Sequence, residues 1–177
     1  MTAPPIEHFY DLSDLSNAGD EVVVSANPDA CRRIADWLDV EAVEKFAGTV
    51  TLRRIGAHRY GYAARLDCDV VQQSVVSLKP LSIHIGHEFA RELHVVHRAR
   101  REPGREAVEL TLAAGEDEAP EELDSPNFDL AAPLLEELSL SLDPYPRGAN
   151  EVFAASDGAV AKPESPFAIL KQLKKDG

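Results

Sequence analysis

Lysine and arginine are missing from long stretches of this chain. Residues 1–30 hold six Asp or Glu and no Lys or Arg, residues 106–129 hold nine and none, and the formal net charge over 177 residues is −13. Nonspecific affinity for nucleic acid comes mainly from cations that neutralise phosphates, so this balance argues against a surface that binds RNA all over, and against a DNA partner. Long apolar runs are absent as well. Nothing approaches the roughly 18 to 20 consecutive apolar residues of a membrane helix, and MTAPPIEHFY lacks the basic and apolar regions of a signal peptide. The expectation is a cytoplasmic protein with no membrane partner. Cysteine is scarce: Cys31 and Cys68 have no paired spacing, and both are expected to be reduced, small, buried apolar residues.

Catalytic signatures are missing too. The chain has no glycine-rich phosphate loop, no nucleophile elbow and no Cys or His arrangement with catalytic spacing. Its carboxylates sit in low-complexity or amphipathic contexts that solvation explains. A non-enzyme is expected, with no catalytic residue and no cofactor.

What is present suits one α+β domain over residues 1–147, since 44% hydrophobic content is enough for a core. Residues 6–15 read as an arm or short edge strand, and DEVVVSA as a strand. Asn27 is a favoured N-cap and Pro28 a favoured first helical residue. Ile34, Trp37 and Leu38 then recur at helical spacing, which predicts one apolar face on a helix ending near Asp39.

From Gly48 the pattern turns extended, with a hairpin turn expected at Gly56-Ala57. Tyr60, Tyr62, Ala64, Leu66, Cys68 and Val70 alternate with Arg59, Arg65, Asp67 and Asp69, the mark of a strand with one core face and one wet face. Leu81, Ile83, Ile85, Phe89, Leu93 and Val95 repeat the pattern against Ser82, His84, Glu88, Glu92 and His94. Two long strands, 58–71 and 81–96, about Lys79-Pro80 predict a curved antiparallel sheet or partial barrel, and EAVELTL adds a further strand.

Residues 116–127, acidic and Pro-containing, are expected to form a mobile loop. A helix follows, capped by Asp129, tolerant of Pro133 in its first turn, and carrying Leu134, Leu135, Leu138 and Leu142 against the sheet until DPYPR stops it. Residues 148–165 read as a flexible linker and 166–175 as a short C-terminal helix. Ser165 and Pro166 start it, and Lys171, Lys174 and Lys175 complement its dipole.

Two binding features emerge. Residues 79–105 are locally basic, and Arg98, Arg100, Arg101 and Arg105 form the one credible phosphate-binding cluster, because guanidinium forks match phosphate oxygens. No aromatic residue interleaves with them, so base stacking is not supported. In the C-terminal segment, Phe167, Leu170 and Leu173 give an apolar face beside Lys171, Lys174 and Lys175. That face suits either a partner or the chain's own domain. A third arrangement, His84, His87, His94 and His97, is the alternative basis for a metal- or ligand-binding module. On a strand, however, His84 and His87 face opposite ways, and His84 and His94 stand about 33 Å apart, so no metal site is expected.

Three segments in this order carry a resemblance: the long strand leading into QQSVVSLKPL, the helix DLAAPLLEELSLSLDPYPR, and the terminal SPFAILKQLKK behind a variable linker. Together they resemble the bacterial YceD-like family of large ribosomal RNA subunit accumulation proteins, over most of the chain from the first helix onward. The resemblance implies a non-catalytic role in large-subunit assembly and 23S ribosomal RNA accumulation, with a subunit precursor, a ribosomal protein or 23S rRNA as partner. Many members of that family have cysteine at the position of Ser74 and some also at Ser77. Neither is present here, so metal chemistry is not implied for this chain.

Overall fold

The computed structural model describes residues 3–96 and 120–149. In chain order the elements are β1 (Phe9–Asp11), a 3-10 turn (Leu12–Asp14), β2 (Asp20–Ser25), α1 (Pro28–Leu38), β3 (Ala42–Arg54), β4 (Arg59–Gln73), β5 (Pro80–Val95), β6 (Glu121–Leu123), β7 (Asn127–Asp129) and α2 (Ala131–Ser141). The fold is α+β, as the sequence pattern predicts. One sheet runs β2-β3-β4-β5-β6, antiparallel except for the parallel β5–β6 pair, and β1 pairs with β7 in a separate two-stranded ribbon. Among the described residues the sheet is open, with β2 and β6 at its edges, and its strands do not close into a barrel.

The alternation in β4 explains the layering. Tyr60, Tyr62, Ala64, Leu66, Cys68 and Val70 are all buried and point to the face that carries both helices, while Arg59, Ala63 and Arg65 on the other face are exposed. Burial of such side chains stabilises by about 1.5–3 kcal/mol each for the larger ones, so this single strand contributes much of the drive to fold. The β4–β5 pairing keeps one register from Arg59 opposite His94 to Gln73 opposite Pro80, which puts Ile85 and Leu93 in the same core. The strand expected from Gly48 starts earlier, at Ala42. An irregularity between Val43 and Lys45 lets Val43 and Phe46 both point inward although they are three residues apart, and this breaks the period-two signature.

Helix α1 begins as predicted: the Asn27 side chain accepts from the Ala30 amide at 2.8 Å, and Asp39 closes the helix in the left-handed conformation at φ 55°. Its buried face is Ala30, Cys31, Ile34 and Ala35, with Leu38 half-buried. Trp37, expected on that face, lies instead on its flank and is 40% exposed.

Helix α2 lays Leu134, Leu135 and Leu138 into the core, with Leu142 half-buried just past its end. Asp129 stands one residue before the N-cap position, Leu130, yet does cap the first turn. Its Oδ1 accepts from Ala131 N at 3.0 Å and from His8 N at 2.7 Å, which ties the N-terminal arm to the same point. The part of the acidic 116–127 segment that is described contains β6 rather than only loop. Leu123 is half-buried and its carbonyl accepts from Val96 N at 2.8 Å, so one apolar residue is enough to pin this short edge. The EAVELTL strand lies outside the described residues.

Candidate functional site

At one end of the sheet the segments 72–75 and 142–146 come together, about 70 residues apart in sequence. Val75 N donates to Pro146 O at 2.9 Å, and Gln72 Nε2 donates to Asp143 O at 3.0 Å. Pro144 and Pro146 keep the chain after α2 from continuing as helix, so it runs extended alongside the end of β4.

The 74–79 loop is held from within. Ser74 is fully buried, and its Oγ accepts from the amides of Val76 and Ser77 at 3.2 Å each. Leu78 N returns to Ser74 O at 3.0 Å, with Leu78 in the left-handed conformation at φ 58°. The hydroxyl thus organises the loop backbone.

Between this junction and the end of α1 lies a cleft of about 970 Å³. Its apolar lining includes Trp37, Val40, Val75 and Pro146, and its charged lining is Asp39, Glu41 and Asp143, with no Lys or Arg. Trp37 and Val75 in this lining are 40% and 48% exposed. Exposed large apolar side chains gathered at one concavity mark an interaction surface more often than isolated ones do. Gln72 is the other distinctive group: its Oε1 is buried and has no hydrogen-bond partner among the described residues. A buried acceptor without a donor is uncommon in folded proteins. The lining as a whole, apolar and acidic, suits a segment that is apolar and cationic.

A second concavity of about 640 Å³ lies where β5 meets α2. Here Arg91 Nη1 is 2.6 Å from Glu136 Oε2, and His87 Nε2 is 3.1 Å from Glu137 Oε1. These groups pair with one another and fasten the helix to the sheet.

The histidines do not converge. His84 Nδ1 contacts Asp69 Oδ1 at 2.8 Å on the outer face, His87 contacts Glu137 on the helix face, and His94 stands opposite Arg59 ten residues along the strand from His84. His97 lies outside the described residues. Among the described residues no group of three or more His, Cys, Asp or Glu is placed to hold a metal ion, and no helix is long and apolar enough to cross a membrane. The cysteines are buried as expected, and burial pushes the Cys68 thiol up to about 12.

The binding candidates named from sequence, Arg98, Arg100, Arg101, Arg105, Phe167, Leu170, Lys171, Lys174 and Lys175, all lie outside the described residues. Sequence reasoning missed the cleft, because Trp37 was assigned to the core and Asp39, Glu41 and Asp143 read as ordinary solvated acids. The available signal was the pairing of QQSVVSLKPL with DPYPR, two segments already distinctive and both without regular periodicity. Comparison with protein-family models, with curated proteins and with solved structures finds no match.

Proposed function

We propose that this protein is a non-catalytic, cytoplasmic factor in large ribosomal subunit assembly and 23S ribosomal RNA accumulation, and that it acts by holding a basic segment of a ribosomal protein. The observation that carries the reading is the acidic, apolar cleft at the junction of residues 72–75 and 142–146. Two of the three segments that resemble the YceD-like family meet there. Ribosomal proteins must be basic to neutralise RNA phosphates, and a cleft lined by Asp39, Glu41 and Asp143 attracts such a segment and repels phosphate. The formal net charge of −13 favours a protein partner over RNA in the same way.

The test is affinity capture of large-subunit precursors with the tagged full-length protein, with and without ribonuclease. Capture of large-subunit proteins that survives ribonuclease, and is lost in Asp39→Lys/Asp143→Lys, is the expected result. Capture that disappears with ribonuclease transfers the contact to RNA, and no enrichment of large-subunit components under either condition overturns the reading.

A further inference from the structure

We propose that the cleft has a built-in occupant: the C-terminal segment of this same chain, residues 166–175, docks between Trp37, Val75 and Pro146. The inference rests on the geometry of the cleft and the pattern of the tail, and goes beyond the ribosomal reading without depending on it.

Position comes first. The described residues end at Ala149, three positions past Pro146, which itself lines the cleft. About 20 residues separate Pro146 from Phe167, and a coil of that length has an r.m.s. reach of about 25 Å. The tail is therefore presented to the cleft at a local concentration of order mM, far above that of any free partner of similar sequence.

Charge selects the same pair. The cleft lining carries Asp39, Glu41 and Asp143 and no cation. In a chain with 31 acidic and 18 basic residues, Lys171, Lys174 and Lys175 fall within five positions of one another. The acids of the cleft and the lysines of the tail are complementary, and each neutralises a local excess left by the other.

The apolar surfaces also match. Phe167, Leu170 and Leu173 recur every three residues, so in a helical conformation they share one face, and a short amphipathic helix in a groove is a common mode of recognition. Trp37 and Val75 offer exposed apolar surface to receive them. Gln72, 9% exposed, lies in the same lining, with its Nε2 held by the Asp143 carbonyl. Docking covers the cleft, so a partner that uses the same surface must displace the tail.

Trp37 is the single tryptophan of the chain and lines the cleft, which makes intrinsic fluorescence a direct readout. The experiment compares the full-length protein with two full-length variants, Phe167→Asp/Leu170→Asp/Leu173→Asp and Lys171→Glu/Lys174→Glu/Lys175→Glu. Far-UV circular dichroism confirms that each is folded, and no ribosomal component is added. The expected result is a red-shifted Trp37 emission and easier acrylamide quenching in both variants, reversed by a synthetic peptide of residues 162–177. Unchanged emission and quenching in both variants overturns the proposal. A shift that appears only at concentrations where sedimentation shows a dimer also overturns it, by making a second copy's tail the occupant.

Discussion

The Tyr62 hydroxyl donates to the Leu130 carbonyl at 3.0 Å, joining the first part of β4 to the start of α2 in a place closed to solvent. Tyr62 is the largest fully buried side chain among the described residues, and its ring also meets Phe128 edge-on at 6.1 Å between centroids. Tyr62→Phe keeps the ring and removes one buried hydrogen bond, whose net worth is about 1 kcal/mol. The expected outcome is a Tm lower by about 2–4 °C with an unchanged m-value, read by thermal and urea unfolding.

Alkaline pH should act on the same strand. Burial pushes the Cys68 thiol up to about 12, and burial also raises the Tyr62 phenol. Both groups stay protonated in the folded state while the unfolded chain begins to lose those protons from about pH 9 to 10. The unfolded state then binds fewer protons, so stability is full below that range and declines as pH rises through it. Urea midpoints measured from pH 8 to 11 should fall, and Cys68→Ala, although less stable at pH 8, should show a shallower decline.

Gly48 and Leu134 fix how closely α2 approaches the sheet. A Cβ on Gly48 would stand 2.5 Å from Leu134 Cδ1 and 2.7 Å from Cδ2, so even alanine must push the leucine or the helix away. Overpacking of this kind costs about 1–3 kcal/mol. Gly48→Ala is expected to lose that much, and Gly48→Ala/Leu134→Ala should lose less than the sum of its two singles, as measured by urea unfolding.

How much of this was legible in sequence depends on periodicity. Tyr60 to Val70 alternate without interruption, and the strand, its buried face and its partner β5 all follow from that alternation. Asn27-Pro28 announced α1 because cap chemistry is local. The early start of β3 was hidden by the irregularity at Val43/Lys45, which moves Phe46 onto the inner face out of phase. Trp37 was misplaced because α1 buries positions 31, 34 and 35, and a helix that packs by that stripe turns residue 37 to the side. The cleft itself was not legible, although QQSVVSLKPL and DPYPR stood out as aperiodic segments. It is made by Val75 and Pro146 meeting across the fold, and no local pattern in either segment encodes the contact.

Metal content follows from side-chain placement. His84 is engaged with Asp69 on one face of β5, His87 with Glu137 on the other, and the Ser74 hydroxyl accepts two backbone amides of its own loop. The purified protein is expected to carry no stoichiometric zinc by elemental analysis. One metal ion per chain, lost on His84→Ala or His94→Ala, overturns this.

Arg91 is a further link between sheet and helix, and its strength can be separated from that of the leucines around it. Its side chain is 23% exposed, its Nη1 lies 2.6 Å from Glu136 Oε2 and 4.0 Å from Glu121 Oε2, and its Nη2 lies 3.9 Å from Glu137 Oε2. One cation thus faces three carboxylates drawn from β6 and α2. Glu136 is 57% exposed, so solvent screens the shortest of these pairs, and an exposed pair contributes at most about 1 kcal/mol. Arg91→Met keeps an apolar stem of similar length but leaves the carboxylates facing each other without a counter-charge. Its loss should therefore exceed that of Glu136→Gln, which removes one of three acceptors. In a double-mutant cycle the two are expected to couple by about 0.5–1 kcal/mol, diminishing in high salt. Strict additivity would mean that the Arg91–Glu136 pair itself adds nothing to the attachment of α2 to the sheet.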